Sequence, residues 1–512
     1  MNSNHTQKEI LDYLESPASS GGLPVKRIDT HAASIFLSGT RALKVKRAVR
    51  FPYLDYSTLT LRKAACLAEI EINRRFAPEL YIGLARVTRE SDGSLRIGGQ
   101  GEAVEWAVEM RRFDDGLTLD RFAENNEVPA TMAEAVAARL AEVHRDAERQ
   151  DAGAWIAALA GFFRQHRETF RKHPDLFDQR QADILLQGVT ETLASTGELI
   201  RRRADAGLLV RGHGDLHLGN IALIKGAPVI FDAVEFDPLI AGGDILYDLA
   251  FFLMDLFVGR HRLAANAALN RYLAVSARSE NLEGLRLLPL FLSTRSAIRA
   301  VVAVARFEQK RKPEDVATAQ HYFHCACSLI APSAPRLLAV GGLSGSGKSV
   351  LARSLAPFVL PAPGAVILRS DVKRKQILGL AEMARLDASA YSPEMSAKVY
   401  EAVLADAAKV IAAGHATIID AVFGAPEERG AAARVAEKAG VPFQGIFLHA
   451  DLDKRIERVE RRTGDASDAD RSVVLAQEAR GAEAKEWIRV DSSGLPQETL
   501  DAALQATGLL RT

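Results

Sequence analysis

Residues 342–349 read Gly342-Leu343-Ser344-Gly345-Ser346-Gly347-Lys348-Ser349. This is the pattern G-x-x-x-x-G-K-[ST], set between an apolar strand at 337–340 and a helix expected over 349–355. Each residue type has a task there. Glycines let the backbone curl and turn its N–H groups toward phosphate oxygens. Lys348 reaches the β- and γ-phosphates, and Ser349 offers a hydroxyl to Mg²⁺. The N-terminus of the following helix adds the positive end of its dipole. Gly342 to Ser349 is therefore read as an ATP-binding loop. Downstream, strands expected at 365–368, 416–419 and 444–448 alternate with helices at 393–413, 427–439 and 452–461. Such alternation makes a parallel sheet with helices on both faces, an α/β fold.

The residues that follow the loop suit phosphoryl transfer to a hydroxyl. After the second strand comes Arg369-Ser370-Asp371-Val372-Lys373-Arg374-Lys375. A carboxylate at the C-terminal edge of a parallel strand shares a rim with the phosphate loop. Asp371 is the candidate base for an attacking hydroxyl, and Arg374 the candidate to hold an anionic group. The plainer alternative is a helix-capping Asp among solvated basic neighbours. Asp420 ends the third strand, as a Mg²⁺ ligand through water or as another cap. Arg455, Arg458 and Arg462 recur at helical spacing before the polar stretch 463–468. They are read as a mobile lid, with Arg458 and Arg462 stabilising the transferring phosphoryl group. The alternative is a solvated charged helix that also carries Glu457 and Glu460. This set of motifs resembles the small P-loop kinases related to gluconate kinase, polynucleotide 5′-kinase and zeta toxin, over most of 336–505. The resemblance implies a reaction and not a substrate.

A second signature lies upstream. Residues 213–220 read His213-Gly214-Asp215-Leu216-His217-Leu218-Gly219-Asn220, and a strand at 228–231 then delivers Asp232. This layout suits phosphoryl transfer without a P-loop. Asp215 orients and deprotonates the acceptor hydroxyl, while Asn220 and Asp232 hold Mg²⁺ on the ATP phosphates. A His–Asp metal cluster, or a simple Asx turn, is the competing reading. The motif resembles the aminoglycoside phosphotransferase and choline kinase group. That resemblance extends to Asp244-Ile-Leu-Tyr-Asp248 and implies that Asp248 braces the catalytic loop. It also requires a lysine and a glutamate from a smaller lobe. Lys44 is the candidate, with Lys46 on the same strand face as the alternative. On the next helix Glu69 and Glu71 project about 200° apart, so one of them faces the lysine, taken as Glu69. Met110 and Phe113, at the end of a strand joining the lobes, are the candidate adenine contacts. No G-x-G-x-x-G precedes Lys44; His31-Ala32-Ala33-Ser34 stands in its place.

Both signatures in this order resemble two-domain bacterial proteins with an aminoglycoside-phosphotransferase-like domain fused to a P-loop kinase domain. The expected fold is an α+β bilobal protein-kinase-like domain followed by an α/β P-loop NTPase domain. The expected divisions are a flexible segment 1–22, the first domain 23–331 (small lobe to about 113), a Pro-rich linker 332–335 and the P-loop domain 336–512. Asp237, Asp244 and Asp255 stand near the first site as carboxylates that a polycationic acceptor would want.

Composition bounds the function. Lys+Arg and Asp+Glu are both 65, a formal net charge of zero, which argues against binding nucleic acid or an acidic membrane by bulk charge. Three cysteines in 512 residues exclude a disulfide framework. The first residues lack an apolar signal region, and no apolar run approaches the ~20 residues of a membrane span, so a cytoplasmic protein is expected. The expected function is a bifunctional ATP- and Mg²⁺-dependent kinase acting on small-molecule hydroxyls. Two alternatives are a degenerate N-terminal kinase that regulates the P-loop domain, and a polynucleotide or nucleotide-sugar kinase motivated by Arg369, Lys373, Arg374 and Lys375.

Overall fold

The structure is a computed structural model, and it describes residues 3–51, 54–114, 116–461, 466–480 and 484–509. Its contacts divide the chain into two compact units. One comprises 1–128, 135–165 and 197–255, and the other comprises 129–134, 166–196 and 256–512.

The first unit is built on an antiparallel sheet. Its strand order is Lys26–Asp29, Ala33–Ser38, Arg41–Lys46, Glu102–Arg111, Tyr81–Arg89, Leu95–Ile97. Side chains alternate across a strand, so Arg41–Lys46 presents Ala42, Lys44 and Lys46 to one face and Leu43 and Val45 to the other. The helix Leu59–Arg74 covers the lysine face and brings Cys66, Glu69 and Ile70 to it.

The opposite face determines what happens to the N-terminus. Residues 1–22 were expected to be flexible, but Ser3–Glu15 is a helix and Pro17–Ser20 a short 3-10 turn. Gln7, Ile10, Leu11 and Leu14 recur at the spacing of one helical face. Ile10 and Leu14 are each 1% exposed, packed with Phe36, Leu43 and Val45. The Gln7 amide donates to the Lys46 carbonyl (2.8 Å) and to Glu105 (2.8 Å), and accepts from Ala48 N–H (2.7 Å). Without this helix the Leu43/Val45 face would meet water, at about 1.5–3 kcal/mol per large side chain.

The second unit contains a five-stranded parallel sheet in the order Val366–Arg369, Thr417–Asp420, Leu337–Gly342, Phe443–His449, Ile488–Asp491. Apolar clusters fill both of its faces. The central strand is fully buried and runs straight into the glycine loop, so the loop sits at the C-terminal edge of the sheet. Packing does not divide the chain at 332–335. The reason lies in the helix Arg262–Ser276. Its Asn266 and Asn270 donate to the Ala365 carbonyl (3.0 and 3.2 Å), and Asn270 accepts from Ile367 N–H (2.7 Å). These amides satisfy the polar edge of the outer strand, which would otherwise be open to another chain.

Among the described residues one helical stretch, Glu280–Lys310, is long and apolar enough to cross a membrane, and 72% of its most apolar window is buried inside the protein. We expect Ile10→Ala to destabilise the first unit by about 2–5 kcal/mol, the usual cost of emptying a closed apolar site. Denaturant unfolding followed by tryptophan fluorescence checks this.

Candidate active sites

In the first unit the two lysines of Arg41–Lys46 meet one carboxylate. Lys44 Nζ lies 2.8 Å from Glu69 Oε1 and 2.5 Å from Asp232 Oδ1. Lys46 Nζ lies 2.5 Å from Glu69 Oε2 and also pairs with Glu235, whose carboxylate accepts from Tyr56 OH (2.7 Å). Glu69 is fully buried, whereas Glu71 on the same helix is exposed. The geometry favours Lys44 over Lys46 as the residue facing a nucleotide. Its side chain is 13% exposed and touches Asp232, which is 42% exposed; Lys46 is 3% exposed behind it. Burial works against the charge on Lys44, but Asp232 and Glu69 outweigh it and raise its pKa. For Asp232, burial is outweighed by Lys44, and the carboxyl is held below its ordinary value.

Asp232 has φ +63°, a left-handed conformation that costs a non-glycine residue of order 1–3 kcal/mol. Its neighbours fix it on every side. Its N–H donates to Tyr81 OH (3.1 Å), and Phe231 N–H donates to the Asn220 carbonyl (3.0 Å). The Asn73 amide accepts from Ala233 N–H (2.7 Å) and donates to the Ala233 carbonyl (3.3 Å). Val234 N–H donates to the His213 carbonyl (2.9 Å).

The loop 213–220 is held from behind. Asp248 accepts from His213 N–H (2.7 Å) and Gly214 N–H (2.8 Å) and lies 3.0 Å from His144 Nε2. Asp255 accepts from Leu218 N–H (2.9 Å). Burial lowers the pKa of His213, and its neutral ring is read as donating through Nε2 to the Phe231 carbonyl (2.9 Å) while Nδ1 accepts from Asp215 N–H (3.3 Å). Asn220 Nδ2 donates to the Asp215 carbonyl (2.9 Å), which leaves the amide oxygen for a cation. Asp215 itself is 45% exposed, 3.6 Å from His217 Nε2.

Three carboxylates held for a polycationic acceptor have other duties. Asp244 is fully buried against Arg203 (2.5 and 2.7 Å). Asp255 serves the loop, and Asp237 caps the short helix Pro238–Ala241 through Leu239 N–H (2.8 Å). Met110 is buried in the sheet beside Ala42 and Leu80. Phe113 packs on Phe231 with ring centroids 5.0 Å apart, so both expected adenine contacts belong to one apolar cluster. In place of a glycine loop, Thr30–Ala32 forms a tight turn closed by Thr30 on Ala33 (2.8 Å N–H to carbonyl).

In the second unit a cavity of about 1200 Å³ is lined by the loop 344–349 together with Asp371, Arg374, Tyr391, Asp420 and Arg458. Single-ligand pockets run to about 300–1,000 Å³, so this one has room for a nucleotide and a second small molecule. Ser349 Oγ donates to Asp420 Oδ2 (2.6 Å), and Arg369 reaches both (3.2 and 3.3 Å). Burial and the Asp420 carboxylate push Asp371 above its ordinary value, against the pull of Lys348 and Arg369. A hydroxyl-activating base gains from such a shift. Lys348 Nζ donates to the Leu343 carbonyl of its own loop (3.2 Å).

Of the three lid arginines, Arg455 lies under the phosphate loop, while Arg458 lines the cavity. Arg455 is 3% exposed and pins the loop from beneath, donating to the Ser344 carbonyl (2.9 Å) and pairing with Glu478 (2.5 Å). Arg458 donates to the Ser492 carbonyl (2.6 Å), and its other terminal nitrogen, Nη1, is buried without a hydrogen-bond partner. Arg462 lies outside the described residues. The basic run is likewise not a solvated face. Lys373 pairs with Asp406 (2.5 Å), and Lys375 is 1% exposed and donates to the Glu382 carbonyl (2.9 Å). Arg374 is 6% exposed, donates to the Ala390 carbonyl (2.7 Å) and stacks on Tyr391 (4.7 Å to the centroid).

Sequence reasoning assigned no role to Glu235, Tyr56, Asn73, Gln477 or Ser492. Gln477 accepts from Ser344 N–H (2.7 Å), and Ser492 Oγ donates to the Ser346 carbonyl (2.8 Å). Glu235 has a local signal, standing three residues after Asp232. Mg²⁺ fits both sites by donor chemistry, since Asn220, Asp232, Ser349 and Asp420 offer oxygen only. Among the described residues, no group of three or more His, Cys, Asp and Glu side chains converges as a metal cage. Such a cation would therefore draw its remaining oxygens from phosphate and water. We expect Asp248→Ala to lower N-terminal phosphoryl transfer about 100-fold, because the loop carrying Asp215 loses its acceptors. Single-turnover transfer measured beside unchanged C-terminal nucleotide binding checks this.

Family models match both parts of the chain. A family model described as "Phosphotransferase enzyme family" matches residues 62–288, and one described as "AAA domain" matches 337–483. "Uncharacterized protein Rv2004c" of Mycobacterium tuberculosis is 31% identical over 480 residues, 92% of this chain and 92% of that protein; its Mycobacterium bovis counterpart Mb2027c gives the same figures. Among solved structures, aminoglycoside 2′-phosphotransferase-IIIa is 14% identical over 64% of this chain and 99% of that one, with a TM-score of 0.37. A sugar kinase from Janibacter is 20% identical over 34% of this chain and 95% of that one, with a TM-score of 0.26. The chain thus belongs to one family with these mycobacterial proteins, and it is an ATP-dependent phosphotransferase whose kinase-like phosphotransferase domain is followed by a P-loop kinase domain.

Proposed function

We infer that the chain is a bifunctional kinase, with one Mg·ATP site in each unit transferring the γ-phosphoryl group to a small-molecule hydroxyl. One observation carries the reading: each unit sets a candidate base beside cationic and oxygen-donor groups suited to a nucleotide. In the first unit Asp215 is bonded to Asn220 and stands near Asp232 with Lys44. In the second, Asp371 lies in one cavity with Lys348, Ser349 and Asp420. Each base orients the acceptor hydroxyl and takes its proton as the oxygen attacks phosphorus. Lys44 and Lys348 steady the phosphate oxygens, and Arg458 lines the second cavity. Asn220 and Asp232 in the first site, and Ser349 and Asp420 in the second, would hold Mg²⁺, which would neutralise charge on the phosphates.

The acceptor of the second site carries an anionic group. Arg374 Nε is buried without a hydrogen-bond partner, one helical turn from Asp371. Small molecules fit this site better than nucleic acid, because Arg369, Lys373, Arg374 and Lys375 are engaged inside the fold and form no basic stripe.

Asp215→Ala and Lys348→Ala, made separately, are expected to remove different labelled products when the protein is given γ-labelled ATP and a metabolite extract. The loss of a base costs about 10²–10⁴-fold. If neither substitution alters any product, the reading is wrong. If Asp215→Ala leaves every product in place, the first unit does not catalyse transfer and a regulatory role replaces this one.

A further inference from the structure

Glu69 is asked to hold two cations. Its two oxygens take Lys44 (2.8 Å) and Lys46 (2.5 Å), and the carboxylate has no exposed surface. Two ammonium groups on one buried carboxylate compete for it, and whichever wins sets where the other sits. Glu235 resolves the competition. Its carboxylate, 7% exposed, pairs with Lys46 and accepts from Tyr56 OH (2.7 Å). Its backbone carbonyl accepts from Arg211 (3.2 Å). Glu235 also stands three residues beyond Asp232, on the same stretch that Asn73 and His213 hold.

We propose that Glu235 is a positioning residue of the N-terminal phosphotransfer site, neutralising Lys46 so that Glu69 and Asp232 are left to place Lys44. The proposal rests on the reading of this site as a nucleotide site and extends it. Lys46 and Glu235 act as a compensating pair that touches no phosphate. With Glu235 neutralised, Lys46 keeps Glu69 as its sole carboxylate and draws it away from Lys44. Lys44 then leans on Asp232, the residue read as a metal ligand, and both the lysine and the carboxylate leave their places. Removing one partner of a buried pair is costly, whereas removing both together is often tolerated. A positioning role therefore makes a prediction that a simple structural role does not.

The test uses the full-length chain carrying Lys348→Ala, which silences the P-loop site, and measures binding of ATP in the presence of MgCl₂ by calorimetry. Melting curves are recorded for every variant. Glu235→Gln is expected to weaken binding about tenfold, as expected for one uncompensated buried charge, and Lys46→Met/Glu235→Gln to recover to within about threefold of the parent. Tyr56→Phe, which removes one hydrogen bond and no charge, is expected to weaken binding about threefold. Unchanged binding in Glu235→Gln overturns the proposal. So does a double variant as weak as the single one or weaker, since the two residues would then contribute independently. Should Glu235→Gln fail to fold, Tyr56→Phe and the double variant decide, and unchanged binding in Tyr56→Phe overturns the proposal. A Lys348→Ala parent that binds no ATP refutes the nucleotide-site reading itself, and this proposal with it.

Discussion

A carboxylate with no access to water and a lysine on each oxygen is the constraint around which the first unit is arranged. Moving an ion out of water costs several kcal/mol even after relaxation, so Glu69 is tenable only with its partners in place. Those partners come from three parts of the chain: Lys44 and Lys46 on one strand, Asp232 and Glu235 from a loop, and Tyr56 ahead of the helix. Two cations and three anions leave a surplus negative charge. The excess falls on Asp232, the most exposed member, where a metal-bound polyphosphate would be met. The strand must stay still for this to work. The N-terminal helix supplies that rigidity by burying Leu43 and Val45 on the back of the sheet and bonding to the Lys46 carbonyl.

The second unit solves the same electrostatic problem differently. The donors that its glycine loop offers are main-chain N–H groups, so the loop's curvature must be guarded more than any charge. Arg455, Gln477 and Ser492 each bond to the backbone of 344–346, from outside the loop. At Gly345, φ is +81° and an added Cβ would collide with the Arg455 backbone, so glycine is required by space as well as conformation. An arginine at helical spacing therefore serves as a support under the loop and not as a lid above it.

What could be read beforehand divides by sequence distance. Asp215, Asn220, Asp232 and the loop 342–349 were legible because their chemistry demands fixed spacings within a few residues. Lys44 with Glu69 was legible from strand alternation and helical phase. Partnerships over long separations left no such trace. Gln7 meets Glu105, Tyr56 meets Glu235, and Asn266 meets Ala365 across 98, 179 and 99 residues. The order of the N-terminus was missed although Gln7, Ile10, Leu11 and Leu14 share one helical face, because polar composition and the loop-like residues 16–22 masked the period. The strand Tyr81–Arg89 was missed as well, since its buried positions, Tyr81, Ala85, Val87 and Thr88, do not keep a strict alternation.

The carboxylates of the apolar helix Ile245–Val258 show why composition near a site misleads. Asp248 and Asp255 are seven residues apart, so they project within about 20° of one another and about 10 Å apart along the axis. That span matches the loop they serve: Asp248 takes His213 and Gly214, and Asp255 takes Leu218. Acidic groups clustered beside a catalytic loop read from sequence as bait for a cationic acceptor. Placed on one face of a helix that is otherwise buried, they are instead acceptors for backbone N–H groups of the loop. An acidic residue inside an apolar helix is costly to bury, and the loop it satisfies accounts for the cost. Recognition of the N-terminal acceptor must then rest on other residues, and aminoglycoside-like charge cannot be inferred from these carboxylates.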